Sequence, residues 1–192
     1  MVETLLTPLT ALSSFSDAEL AQIAAATSVK NVKRRQLLLR EGDVCRHMAF
    51  VVSGSLRLYR TDEQAVEHII CFSIENCWIG DYESFQSGLP AKGAIAALED
   101  SQLLLWSTES WERLKKEIPA FNAMQSLLIS RCFNAQVDRL YAASSRSVES
   151  RYHEFLQSFP DVYQRVPLHM IASYLGVSRE TLSRIRQHAA PR

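Results

Sequence analysis

"HMIASYLGVSRETLSRIRQH" occupies residues 169–188, and its reading decides how the rest of the chain is parsed. Two apolar-striped segments meet at Gly176. Before it, Ile171, Ala172 and Leu175 recur at helical spacing; after it, Leu182 and Ile185 stand three residues apart. Glycine ends a helix in the left-handed conformation without a Cβ penalty. Ala172 is small, as two closely crossing helices require. Val177 fills the space between them, and Ser178 caps a second helix from Arg179 to about His188. Arg179, Glu180, Ser183, Arg184 and Gln187 are left on the opposite, polar side. The pattern predicts a helix-turn-helix. Its second helix turns free N–H groups toward phosphate. Its arginines can donate to guanine O6 and N7, and its glutamate can accept from cytosine N4. The candidate DNA contacts are Ser178, Arg179, Glu180, Ser183, Arg184 and Gln187, with His169 and Arg165 beside them. Two packed helices with a solvated charged face are the plainer reading of the same stretch.

Charge supports the DNA reading only when it is located. The 192-residue chain has a formal net charge of zero. Residues 1–138 hold 13 Lys/Arg against 17 Asp/Glu, a net of −4, whereas residues 139–192 hold 8 against 4, a net of +4. The last quarter is therefore where a polyanion binds favourably. With 47% apolar and 22% charged residues, the composition is that of a globular cytoplasmic protein. No run is long and apolar enough for a membrane span, and the first residues lack the basic start and apolar core of a signal peptide. The four cysteines, 45, 71, 77 and 132, have neither C-x-x-C nor zinc-finger spacing and read as reduced, mostly buried thiols. No metal or cofactor site is expected.

Upstream, Ser16 and Glu19 form a capping box for a short helix over 17–26. From Gln36 to Ser107, short apolar runs alternate with turn signals such as "EGD" (41–43), "SGS" (53–55) and "TDEQ" (61–64). Six to eight strands at such spacing predict a sandwich or jelly-roll barrel. At Thr108 the period becomes helical. A short helix over "TESWERLKKEI" (108–118) precedes a long one from Pro119 to about Ala143, roughly 35 Å long. That exceeds what a small barrel covers, so part of its apolar face is expected to pair with a second copy. Phe121, Met124, Leu128, Cys132 and Leu140 are the candidate interface residues. A further helix follows over 147–159, and "VYQRVP" (162–167) reads as an extended connector. The expected fold is α+β: a sensor-like β jelly-roll with flanking helices over 1–118, a dimerisation helix over 119–143, and a helix-turn-helix domain over 144–192.

Taken together, these stretches resemble the Crp/Fnr family of bacterial transcription regulators over nearly the whole chain. "IASYLGVSRETLSRIR" (171–186) resembles that family's DNA-binding segment. "LLREGDVCRHMAFVVSGSLRLYR" (38–60) resembles its cyclic-nucleotide-binding-like sensor barrel, and "WIGDYESF" (78–85) its phosphate cassette. The resemblance implies a homodimer that reads a roughly palindromic DNA duplex, contacts RNA polymerase and responds to a small-molecule effector. The chain departs from the family's cyclic-nucleotide pattern. Gly80-Asp81 stands for Gly-Glu, and Lys92 stands near the expected arginine without its rigid fork. Gly80, Asp81 and Lys92 are thus candidates for an altered effector pocket. The first cysteine is Cys45, so the N-terminal iron–sulfur cysteines of other members have no counterpart; His47 and His68 read as ordinary residues rather than haem ligands. Only "HAAPR" follows Gln187, too little for the family's β-wing, so Arg165, His169, Arg186 and Arg192 are expected to serve the flanking phosphates.

No catalytic carboxylate pair, nucleophile elbow or phosphate loop is present, and an enzyme is not expected. The alternative from another class is a small-ligand sensor or scaffold whose helical tail binds a protein.

Overall fold

A computed structural model describes residues 13–189, which divide into two compact units. The first is residues 13–58 with Phe72–Ser130, and the second is Tyr59–Cys71 with residues 131–189.

The first unit opens with α1 (Asp17–Ala25), held by the expected box: Glu19 N–H donates to Ser16 Oγ, and Ser16 N–H donates back to the Glu19 carboxylate. Eight strands follow: β1 (Ser28–Val32), β2 (Leu37–Leu39), β3 (His47–Ser53), β4 (Leu56–Thr61), β5 (Glu67–Ser73), β6 (Trp78–Ile79), β7 (Ala94–Ala97) and β8 (Ser101–Ser107). They form two four-stranded sheets, in the orders β1-β8-β3-β6 and β2-β7-β4-β5. The first sheet is antiparallel at every pairing. Helix α2 (Tyr82–Ser87) sits between β6 and β7, and α3 (Thr108–Glu117) follows β8 under the Ser107 cap.

The central strands of the first sheet do not alternate. Met48–Val51 and Leu103–Trp106 are buried without interruption, because α2 and α3 contact β3 and β8 on the face away from the sandwich. Strands covered on both sides read as continuous apolar runs. The interior is filled with rings. Trp78 packs at 5.2 Å on Phe50, 5.0 Å on Trp106 and 5.2 Å on Trp111, and Trp111 packs on Phe85 and Phe121. A polar chain leads from them toward the surface: Trp111 Nε1 donates to Gln125 Oε1, and Gln125 Nε2 donates to the hydroxyl of the exposed Tyr82, both at 3.0 Å.

One corner depends on glycine. Gly54 has φ +95°, and a Cβ there would lie 2.2 Å from Ser101 Oγ and 2.7 Å from Ser101 Cα. Gly54→Ala is therefore expected to destabilise the first unit by about 3 kcal/mol, from backbone strain and overpacking together. Urea unfolding followed by tryptophan fluorescence checks this; an unchanged midpoint would mean that the β3–β4 corner opens at little cost.

Helix α4 runs from Pro119 to Ser145, 27 residues, slightly past the expected end. In the first unit its opening turns bury Phe121, Met124 and Gln125. The second unit then contains α5 (Val148–Ser158), α6 (Pro160–Arg165), α7 (Leu168–Leu175) and α8 (Arg179–Ala189). The extended connector expected over 162–167 is corrected: most of it belongs to α6. Pro160 occupies the first helical turn, where no N–H is needed, and Val162 and Val166 bury themselves four residues apart. The cysteine expectation is also corrected. Only Cys45 is fully buried; Cys71 and Cys77 are half-buried, and Cys132 is exposed. Burial pushes the Cys45 thiol pKa up.

Candidate nucleic-acid interface

The helix-turn-helix forms as the glycine demands. Gly176 ends α7 at φ 68°, and the Val177 N–H reaches back to the Ala172 carbonyl at 3.0 Å. This six-to-one bond satisfies a carbonyl that the helix end leaves open. Ser178 Oγ then accepts the Thr181 N–H at 3.1 Å and caps α8. Ile171, Ala172, Leu175 and Leu182 are buried, in one core with Tyr152, Phe155, Val162 and Val166. Ile185 is half-buried.

At 3.6 residues per turn, Arg179, Ser183, Gln187, Glu180 and Arg184 fall within an arc of about 140°, and Leu182 falls outside it. Arg179, Glu180, Arg184 and Gln187 are exposed, while Ser183 is half-buried. A backbone N–H at the helix start, then the Ser178 hydroxyl, hold the Glu180 carboxyl below its ordinary pKa, so it stays an anionic acceptor. Thr181, exposed on the first turn, flanks this face and is absent from the sequence-based set; a hydroxyl at that offset gives no periodic signal. Of the flanking candidates, His169 is exposed and Arg165 half-buried. Arg186 lies over the Tyr163 ring at 5.8 Å, and Arg192 lies outside the described residues.

Two further arginines fix α7, and sequence periodicity did not find them. Arg139 Nη2 donates to the Tyr174 carbonyl at 2.8 Å, and Arg151 Nη1 to the Leu175 carbonyl at 2.7 Å. Cations are favourable at a helix C-terminus, where carbonyls lack partners. The Arg139 guanidinium also stacks 4.1 Å from the Tyr174 ring centre and donates from Nη1 to the Ile70 carbonyl at 2.6 Å. Ser173 Oγ accepts the Ile69 N–H at 3.0 Å and donates to the Glu67 carbonyl at 3.1 Å. One hydroxyl thus satisfies two backbone polar groups of the edge strand β5.

The interface candidates on α4 divide. Phe121 and Met124 are corrected: both are buried in the chain's own core, and Leu128 packs partly against it. Cys132 and Leu140 are exposed. The large exposed apolar residues of the later turns are Ile129, Phe133, Val137, Leu140 and Tyr141. They lie about 80° to 200° around the helix from Phe121.

The effector-pocket candidates already have structural work. Asp81 caps α2: Oδ1 accepts the Ser84 N–H at 3.0 Å, and Oδ2 the Lys92 N–H at 3.3 Å. Lys92 Nζ pairs with Glu83 at 2.6 Å. A Cβ at Gly80 would lie 2.5 Å from the Met48 sulfur. An acid engaged as a cap and a lysine paired with a glutamate do not fit a cyclic phosphate.

Among the described residues, no helix is long and apolar enough to cross a membrane. Comparison with known proteins agrees with this anatomy. Residues 29–117 match the cyclic nucleotide-binding domain family. The regulatory protein HlyX of Actinobacillus pleuropneumoniae is 25% identical over 186 residues, covering 90% of this chain and 76% of that protein. The fumarate and nitrate reduction regulatory protein of Escherichia coli strain K12 is 25% identical over 167 residues, covering 81% of this chain and 66% of that one. The fold is shared with the Thermus thermophilus catabolite activator protein, with a TM-score of 0.61 at 20% identity over 95% of this chain and 86% of that one. This barrel, this helix-turn-helix and these relatives support a regulator of the Crp/Fnr family.

Proposed function

We propose that the chain acts in the bacterial cytoplasm as a homodimer that reads a two-fold DNA site with its paired α8 helices. Bound to DNA, the dimer contacts RNA polymerase. The observation that carries this reading is the exposed arc of Arg179, Glu180, Ser183, Arg184 and Gln187 on a helix whose other side is anchored by Leu182. The exposed Ile129–Phe133–Leu140 face of α4 supplies the dimer contact. Its spacing of four and seven residues suits a helix pair. Dimers of this kind place two recognition helices about 34–36 Å apart, in successive major grooves. The contacts of Asp81 and Lys92 favour an effector site that differs from a cyclic-nucleotide pocket.

The test is selection from a random duplex library by the purified protein at fixed salt. Enrichment of a two-fold motif with half-sites about one helical turn apart is expected. No enrichment, together with salt-insensitive capture of a protein, would favour the sensor or scaffold reading instead.

A further inference from the structure

The second unit bears an open cleft of about 740 Å³, within the usual size range of small-molecule sites. Its walls come from the end of α4 (Asp138, Arg139, Tyr141, Ala142, Ala143, Arg146), from α5, and from the α7 terminus at Tyr174, Leu175 and Gly176. One side is aromatic: Phe155, Phe159 and Tyr174 stand in mutual ring contact at 5.5–6.5 Å. Three arginines, 139, 146 and 151, face two acids, Asp138 and Glu154, which leaves one positive charge in excess. Arg146 pairs with Glu154. The Arg151 Nε is buried without a hydrogen-bond partner, a donor whose desolvation is uncompensated. The cleft face of α4, with Arg139, Ala142, Ala143 and Arg146, is separate from the Ile129–Phe133–Leu140 face assigned to the dimer.

From this geometry we propose that the cleft is the effector site, and that it takes a small organic anion with a flat aromatic body. The rings give the body a stacking surface, and the guanidinium cluster gives a carboxylate or phosphate head its partners. The ligand would lie against Arg139 and Arg151, the residues that hold the last carbonyls of α7. Occupancy would then bias the position of the helix that sets α8. A ligand shifts such an equilibrium by its differential affinity for the two arrangements. The regulatory half of this proposal rests on the DNA-binding reading; the binding half does not.

The experiment uses the full chain and titration calorimetry without DNA. The probes are 1-naphthyl phosphate and 1-naphthoate, compared with neutral 1-naphthol and with inorganic phosphate. One site per chain is expected for at least one aromatic anion, with whichever head is preferred identifying the ligand's acid. Binding should be at least tenfold weaker for naphthol and for phosphate alone. Ala143→Trp, on an exposed helix position, fills the cleft and should abolish binding. Arg146→Gln should weaken it about tenfold, the scale of one charge-assisted contact. Absence of heat with both anions, equal affinity for naphthol, or affinity unaltered in both variants would overturn the site. Given binding, duplex affinity measured with saturating probe should change at least threefold. An unchanged duplex affinity would overturn the regulatory half. Failure of the chain to select any duplex would instead count against the DNA reading and leave the calorimetric result standing.

Discussion

Replacing Leu140 with aspartate should leave a folded monomer at concentrations where the parent chain sediments as a dimer. Leu140 is 73% exposed in the single chain, and Phe133 is 67% exposed, so neither contributes much to the fold of one subunit. Burying a leucine side chain is worth about 1.5–3 kcal/mol. A two-fold interface uses each position twice, so about 3–6 kcal/mol is lost in apolar burial alone. Two like charges placed near the axis add desolvation and repulsion. The dimer dissociation constant should therefore rise by about a thousandfold or more. Sedimentation equilibrium reads the mass, and circular dichroism verifies that helix content is kept. Met124→Asp makes the contrast. It places a charge in the chain's own core and should unfold the first unit rather than merely split the dimer. A Leu140→Asp chain that remains dimeric would remove the later turns of α4 from the interface.

That contrast also shows why the interface was only half legible in the sequence. Phe121, Met124, Leu128, Cys132 and Leu140 share one apolar inventory, but α4 carries two stripes on different faces. The first packs against the ring cluster through Phe121 and Trp111; the second emerges from Ile129 onward. A single periodic stripe drawn through both averages their directions. Gln125 was invisible for a related reason: a glutamine on an apolar face has no periodic signature, and its role appears only when Trp111 and Tyr82 are seen at its two ends. By contrast, the capping box at Ser16, the Gly176 turn and the Ser178 cap are local devices, satisfied within a few residues, and the sequence is sufficient to place them. The α6 helix was missed because a proline after a helical stretch can end that helix or open the next, and Pro160 occupies a first turn. The arginine caps on α7 come from residues 24 and 35 positions away, a pairing that spacing alone does not encode.

The engaged Asp81 and Lys92 change where control of DNA binding is to be sought. In the first unit, six rings and the Trp111–Gln125–Tyr82 hydrogen bonds pack the region around α2. In the second unit, α7 buries Ile171, Ala172 and Leu175, and separate polar contacts from Arg139 and Arg151 and through its own Ser173 fix its end and outer side. Contacts of that kind can be exchanged singly without opening a core, whereas packed interiors do not deform continuously. Control of α8 is therefore better placed at those contacts than in the barrel.

Arg179→Ala should then separate specificity from affinity. Arg179 stands exposed at the first position of α8, clear of Leu182 and Ile185 on the buried side, so its removal leaves the helix-turn-helix core untouched. A bidentate arginine–guanine contact is worth about 1–3 kcal/mol of discrimination. A two-fold site contains it twice, so the selected duplex should lose about 2–6 kcal/mol, a fall of at least thirtyfold, while random duplex changes little. Arg186→Ala makes the control. Its guanidinium lies over Tyr163, off the base-reading arc, and a phosphate contact carries no sequence information. That variant should weaken selected and random duplex alike and lower the salt slope by about one per chain. Competition assays at two salt concentrations distinguish the two behaviours. If Arg179→Ala instead lowers both affinities equally, Arg179 is a backbone contact, and base reading passes to Glu180, Arg184 and Gln187 further along the same arc.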